Sequence, residues 1–183
     1  MRKTTISFAS LALILSAAPT WVGAASSPDS ATPDEVIAKV HEAAKYLHDK
    51  GQAGFPDFNN NARWVWKDSY VFVFSCRDNK MIAHPLRPDL VGKPILQMED
   101  EKGNRLFQKL CDAGDNTGGG WVEYWWTKPG EAKASRKISY TQRTEVSFQP
   151  DVRVGAGIYD ETMSVEELNK MAHQALEPKK EAP

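Results

Sequence analysis

Tyr70-Val71-Phe72-Val73-Phe74 is the stretch on which the fold turns. All five side chains are β-branched or aromatic, so the run reads as a strand covered on both faces rather than one wetted on alternate positions. Asp78-Asn79-Lys80 follows as a turn, and Met81-Ile82-Ala83-His84 returns as a second strand. Working outward toward the C-terminus, Pro85, Pro88 and Pro94 exclude regular structure until about Gly103. A short helix is then expected from Asn104 to Ala113, with Leu106, Phe107 and Leu110 on one side. Gly118-Gly119-Gly120 breaks the chain before a third strand, Trp121 to Trp126. Pro129-Gly130 turns it, and Ser135 to Thr141 and Val152 to Ile158 supply two more.

Working outward toward the N-terminus, Gly54, Pro56 and Asn59 to Asn61 mark a turn-rich stretch. Before it, Thr32-Pro33-Asp34-Glu35 reads as a capping box with proline in the first turn. Val36, Ile37, Val40, Ala44 and Leu47 recur at helical spacing, and Gly51 is the stop, so a helix is expected from Pro33 to Lys50. Ser164-Val165-Glu166-Glu167 opens a last helix to about Leu176. Helix, two strands, short helix, three strands, helix: strands joined by tight turns with helices packed against them make an α+β domain.

The ends read differently. Arg2 and Lys3, the uncharged run Ile6 to Ala18 and the small residues at Val22-Gly23-Ala24 have the layout of a secretory signal peptide, residues 1–24. Residues 25–31 read as a flexible leader, 32–176 as one domain and 177–183 as a disordered tail. Cleavage leaves a small acidic excess, which gives no electrostatic reason to expect nucleic acid or an anionic membrane as partner. No second long apolar segment occurs, so no stable membrane insertion is expected after cleavage. The expected location is periplasmic or secreted. In an oxidising compartment, the two cysteines, Cys76 and Cys111, are expected to pair as a disulfide.

Little in the sequence points to covalent chemistry. The four histidines, His41, His48, His84 and His173, lie on separate elements or seven apart, without metal-ligand spacing, and no cofactor is expected. The glycine run precedes a strand and is not followed by Lys-Ser/Thr, so it reads as a loop rather than a phosphate cradle. No serine sits in a nucleophile elbow. What remains is polar and aromatic. Tyr124 and Trp126 share one strand face, and Arg136 and Lys137 on the next strand must point to opposite faces. If Lys137 points inward its charge needs a partner, either a ligand's anion or a protein carboxylate. His84, before Pro85 at the end of a strand, reads as a structural hydrogen-bonder or a ligand contact.

Six segments occur in order: Tyr70-Val71-Phe72-Val73; Ala83-His84-Pro85; Leu90-Val91-Gly92-Lys93; Gly119-Gly120-Trp121-Val122-Glu123-Tyr124; Lys137-Ile138-Ser139-Tyr140; and Gly155-Ala156-Gly157-Ile158-Tyr159. Together they resemble the single Cache domain of bacteria, over essentially the whole chain after the signal. The resemblance implies a PAS-like fold, a long N-terminal helix packed on a five-stranded antiparallel sheet, with a ligand pocket on the other face. It also implies sensing of a small molecule, such as a short carboxylate, an amino acid or urea. Lys137 and Tyr124 carry over as polar anchor and aromatic wall, followed by His84, Tyr140, Tyr70 and Trp126. Alternation puts Tyr140 opposite Lys137 unless a bulge intervenes.

Sensors of this type continue into a membrane helix and a signalling module, whereas this chain ends after one short helix and a polar tail. The expectation is therefore an exported ligand-binding protein, not an enzyme, that acts with a membrane chemoreceptor or sensor kinase. The first helix is available for a homodimer contact. The alternative is an interaction or structural protein whose pocket is filled by its own aromatic rings; a hydrolase ranks last.

Overall fold

A computed structural model describes residues 29–174. The expected signal peptide and C-terminal tail lie outside these residues, as does most of the expected leader. Helix α1 spans Pro33–Lys50, the predicted bounds. Thr32 and Glu35 form the reciprocal capping box, and the Gly51 N–H closes on the Leu47 carbonyl. Ala31, the last residue of the expected leader, is buried, and its N–H is donated to Asp68 at 2.8 Å.

The remaining elements, in order, are α2 (Asp57–Asn60), β1 (Val65–Trp66), β2 (Ser69–Tyr70), β3 (Phe72–Ser75), β4 (Lys80–Ala83), α3 (Leu106–Gly114), β5 (Gly120–Thr127), β6 (Ala134–Val146), β7 (Gln149–Tyr159) and α4 (Val165–Gln174). The strands β3 to β7 form one antiparallel sheet in the order β4-β3-β7-β6-β5. This is the α+β architecture read from the sequence, with the long N-terminal helix on one face. The short ribbon β1–β2 was not foreseen. It claims Tyr70 from the run read as a single strand, because the Val71 N–H turns to the Trp64 carbonyl and the main ladder begins at Phe72.

The uniformly apolar run is covered on both sides, as expected. Val71 and Val73 join Val36, Val40, Leu47, Val154 and Ile158 in the core beneath α1. Phe72 and Phe74 point the other way, into a second core with Met81, Ile95, Leu106, Phe107, Leu110 and Tyr124. That second core is roofed by α3 and the proline-bearing loop before it. The loop is pinned by Asn79, whose φ of +48° is a conformation asparagine tolerates and whose side-chain oxygen accepts from the Ile95 and Leu96 N–H groups. Cys76 at the end of β3 is disulfide-bonded to Cys111 on α3, which ties the roof to the sheet.

The open edge of β5 is plugged by side chains. Asn169 of α4 accepts from the Trp121 N–H (2.7 Å) and donates to its carbonyl (3.2 Å), and Asp100 accepts from the Trp125 N–H (2.9 Å). An unpaired strand edge invites another chain, so these contacts also guard against aggregation. Asn169→Ala is expected to cost about 1–2 kcal/mol and to speed hydrogen exchange at the Trp121 amide. An unchanged exchange rate there would show that α4 does not hold the edge.

Candidate functional site

The β5–β6–β7 register lines up Tyr124, Lys137 and Tyr159 across three neighbouring strands. Because side chains alternate, Lys137 and Ser139 face the same side as Phe72 on β3, while Ile138 and Tyr140 face α1. Lys137 is 0% exposed and no described residue hydrogen-bonds its ammonium nitrogen. Three aromatic rings surround it instead. Nζ lies 3.9 Å from the centre of Tyr70, 5.1 Å from Tyr159 and 5.6 Å from Phe72. Ring faces attract a cation but do not replace lost hydration in full. Burial pushes the Lys137 amine down to about 7, with a smaller opposing pull from Asp68.

A glycine makes room for this arrangement. A Cβ at Gly157 would sit 2.8 Å from Lys137 Cε and would overlap Ser139 Oγ. Gly155 plays the same part under the Phe72 ring. Gly157→Ala is expected to lower stability by about 1–3 kcal/mol through overpacking, and to displace Lys137. A wild-type denaturation midpoint in that variant would contradict the close packing.

Ser139 Oγ is 2.8 Å from the Tyr124 hydroxyl, whose ionisation burial pushes far up. His84 follows β4 directly. Its main-chain N–H is held by Asn59, and its Nδ1 accepts from the N–H groups of Leu86 (3.3 Å) and Arg87 (3.0 Å). Those two bonds assign the proton of the neutral ring to Nε2. Burial first, then the charges of Lys137 and Arg87, push His84 down to about 3. The ring stays neutral at physiological pH and presents a donor beside Tyr70, Phe72 and Trp126.

These groups enclose little space. A cavity of about 10 Å3 lies among Tyr70, Phe72, His84, Leu106, Phe107, Tyr124 and Trp126, room for about one water. Tyr70 and Trp126 also form the back of an outer cleft of about 480 Å3, whose other walls are Leu86, Arg87 and the hairpin Thr127 to Glu131. The guanidinium of Arg87 lies over the Trp126 ring at 5.7 Å and is paired with Asp89. Lys128 on the hairpin pairs with Asp68 at 3.2 Å.

Five of the six candidate residues therefore come together: Lys137, Tyr124, His84, Tyr70 and Trp126. Tyr140 does not. It belongs to the core beneath α1, against Trp121, with its hydroxyl donated to the Gly118 carbonyl. No bulge intervenes between Lys137 and Tyr140, so strict alternation decides its face. The sequence reading missed Tyr159, Phe72, Ser139 and Arg87. The first of these was within reach: in Gly155-Ala156-Gly157-Ile158-Tyr159 the glycines and the tyrosine share a face, and only the β6–β7 register was needed to set that face against Lys137.

Comparison with known proteins agrees with this fold. The profile of the Cache domain family (dCache_2) matches residues 35–180. The methyl-accepting chemotaxis protein McpP of Pseudomonas putida is 29% identical over 98 residues, which is 53% of this chain and 17% of McpP. This chain thus aligns with only a small part of that receptor's length. A methyl-accepting chemotaxis protein structure from Vibrio parahaemolyticus is similar with a TM-score of 0.57 and 25% identity, covering 69% of this chain and 86% of that one. A periplasmic sensor domain of a chemotaxis protein gives 0.51 and 27%, covering 68% and 93%. A Cache chemosensory domain described for its carboxylic acid recognition gives 0.52 and 25%, covering 68% and 86%. On its sequence and its fold, the chain belongs to the Cache domain family, whose chemoreceptor members use it as a sensory ligand-binding domain.

Proposed function

We propose that this protein is an exported sensory domain that binds a short monocarboxylate, with Lys137 as the partner of its anion. The observation that carries the reading is the buried Lys137 amine without a hydrogen-bond partner among the described residues. A buried charge of this kind is retained at a cost in stability, which a function can account for. Tyr124, its register partner on β5, and His84 line the neighbouring small cavity, where the tyrosine hydroxyl and the His84 Nε2 are donors suited to a carboxylate's second oxygen. The aromatic rings suit a short apolar body.

No acidic side chain is among the residues lining the cavity. An amino acid's α-ammonium would find no counter-charge there, so the reading favours simple carboxylates over amino acids. The similarity to a Cache domain described for carboxylic acid recognition supports the same class. The signal-peptide layout of residues 1–24 and the likeness to a periplasmic sensor domain support an extracytoplasmic location. No helix among the described residues is long and apolar enough to cross a membrane. A membrane chemoreceptor or sensor kinase is the partner that this reading requires.

The small cavity favours a second reading, a pocket filled by its own rings. A thermal-shift screen of the mature chain separates the two. Acetate, propionate and lactate would be compared with glycine, alanine, urea and methylamine. A ligand at a hundred times its Kd stabilises by about 2.7 kcal/mol. The carboxylate reading expects shifts from that class alone, and no shift from any compound would support the self-filled pocket.

A further inference from the structure

Lys137 is fully buried, and the described residues around it offer little that could hold it charged. The groups facing it can be taken element by element. From β2 and β7 come Tyr70 and Tyr159, and from β5 Tyr124, all phenols whose ionisation burial pushes far up. They are neutral and supply no negative charge. From the end of β4 comes His84, neutral at physiological pH, with the Arg87–Asp89 ion pair beyond it. From β3 comes the Phe72 ring, and α3 lends the uncharged Leu106 and Phe107 to the adjoining small cavity. Among the described residues, the acid whose field reaches Lys137 is Asp68, in the turn between β1 and β2. Asp68 accepts from the Ala31 N–H through one oxygen, and its other oxygen, which no described residue hydrogen-bonds, is ion-paired with Lys128.

We propose that the domain takes up its carboxylate together with a proton, which settles on Lys137 Nζ; this rests on the carboxylate reading above. The balance is simple. The neutral amine's lone pair accepts a proton from solvent, the resulting ammonium donates to the carboxylate, and no other bond changes. Above neutral pH, the ligand-free site holds mostly the uncharged amine. The bound anion restores the charge, because an opposite charge a hydrogen bond away favours the protonated form. Affinity should therefore fall as pH rises through and beyond neutrality, by up to about tenfold per pH unit once the free amine is mostly neutral. A sensor built this way reports a carboxylate most strongly in neutral or acidic surroundings, and weakly in alkaline ones.

The test is calorimetric titration of the mature chain with acetate at pH 6 and pH 8.5, each in two buffers with very different ionisation enthalpies. At pH 8.5 the binding heat should depend on the buffer with the slope of about one proton taken up per acetate, and at pH 6 the slope should be close to zero. The Kd should be at least about tenfold weaker at the higher pH. Lys137→Arg keeps its charge at both values, so a folded variant that binds should do so without proton uptake. If that variant does not fold, the wild-type heats decide alone. Acetate binding with buffer-independent heat and a flat Kd would overturn the proton coupling while leaving the carboxylate reading standing. Absence of binding by acetate, propionate and lactate at every pH would overturn both.

Discussion

Lys137→Met is expected to give a protein that is more stable than the natural one and no longer binds. Methionine fills the same unbranched volume without a charge, and removing a buried charge that has no partner lifts a desolvation penalty on the order of several kcal/mol. The sign of the pH dependence follows from the direction of the Lys137 shift. The folded-state amine titrates near 7, against 10.5 in the unfolded chain. Between those values the unfolded state binds more protons, so the natural protein gains stability from this group as pH rises. The advantage of Lys137→Met is thus largest below about pH 7 and shrinks toward pH 10.5. Thermal melts of both proteins across that range check it. A variant that is less stable at pH 6 would show that Lys137 has a structural partner, and carboxylate binding at natural affinity would remove it from the site.

Breaking the Cys76–Cys111 disulfide is expected to be the most damaging change to the fold. The bond closes a segment with a sequence separation of 35, and a loop of that size is worth about 3–4 kcal/mol in the chain-entropy account. The effect should reach the site as well. Cys111 lies on α3, and Leu106 and Phe107 of the same helix line the small cavity. Cys76→Ser with Cys111→Ser, or reduction of the natural protein, should lower Tm by roughly 10 °C and should weaken ligand binding in parallel. A Tm that is insensitive to reductant would mean that the roof is held by its apolar contacts alone.

The fold was largely legible because its signals are local. Thr32, Pro33 and Gly51 fix the ends of α1 by capping chemistry that does not depend on tertiary contacts. The apolar strand Phe72–Ser75 needs two covered faces whatever covers them. Val65 and Trp66, between the turn-rich stretch and Tyr70, give no signal of their own because two-residue strands carry no periodicity. The ladder between Ala134 and Val146 was read as ending at Thr141, since Gln142 to Glu145 are polar residues that a hairpin partner, not their own pattern, holds extended.

The site was legible only in part, for a related reason. Alternation within one strand put Tyr124 with Trp126, and set Tyr140 opposite Lys137. It could not say which residue of another strand stands across from Lys137, because register depends on hairpin geometry. That Lys137 meets aromatic rings and not a carboxylate is a property of four strands at once. The pairing of His84 Nδ1 with two backbone N–H groups likewise depends on a loop conformation that Pro85 signals without specifying.

The central claim is that Lys137 holds the anion of a short carboxylate inside its aromatic enclosure. Crystals of residues 25–183 grown with propionate test it most directly. The account predicts a carboxylate oxygen within hydrogen-bond distance of Lys137 Nζ, the Tyr70 and Trp126 rings displaced to admit it, and no propionate in crystals of Lys137→Met. Propionate bound in the outer cleft against Arg87 and Lys128, with Lys137 still enclosed by its rings, would contradict it.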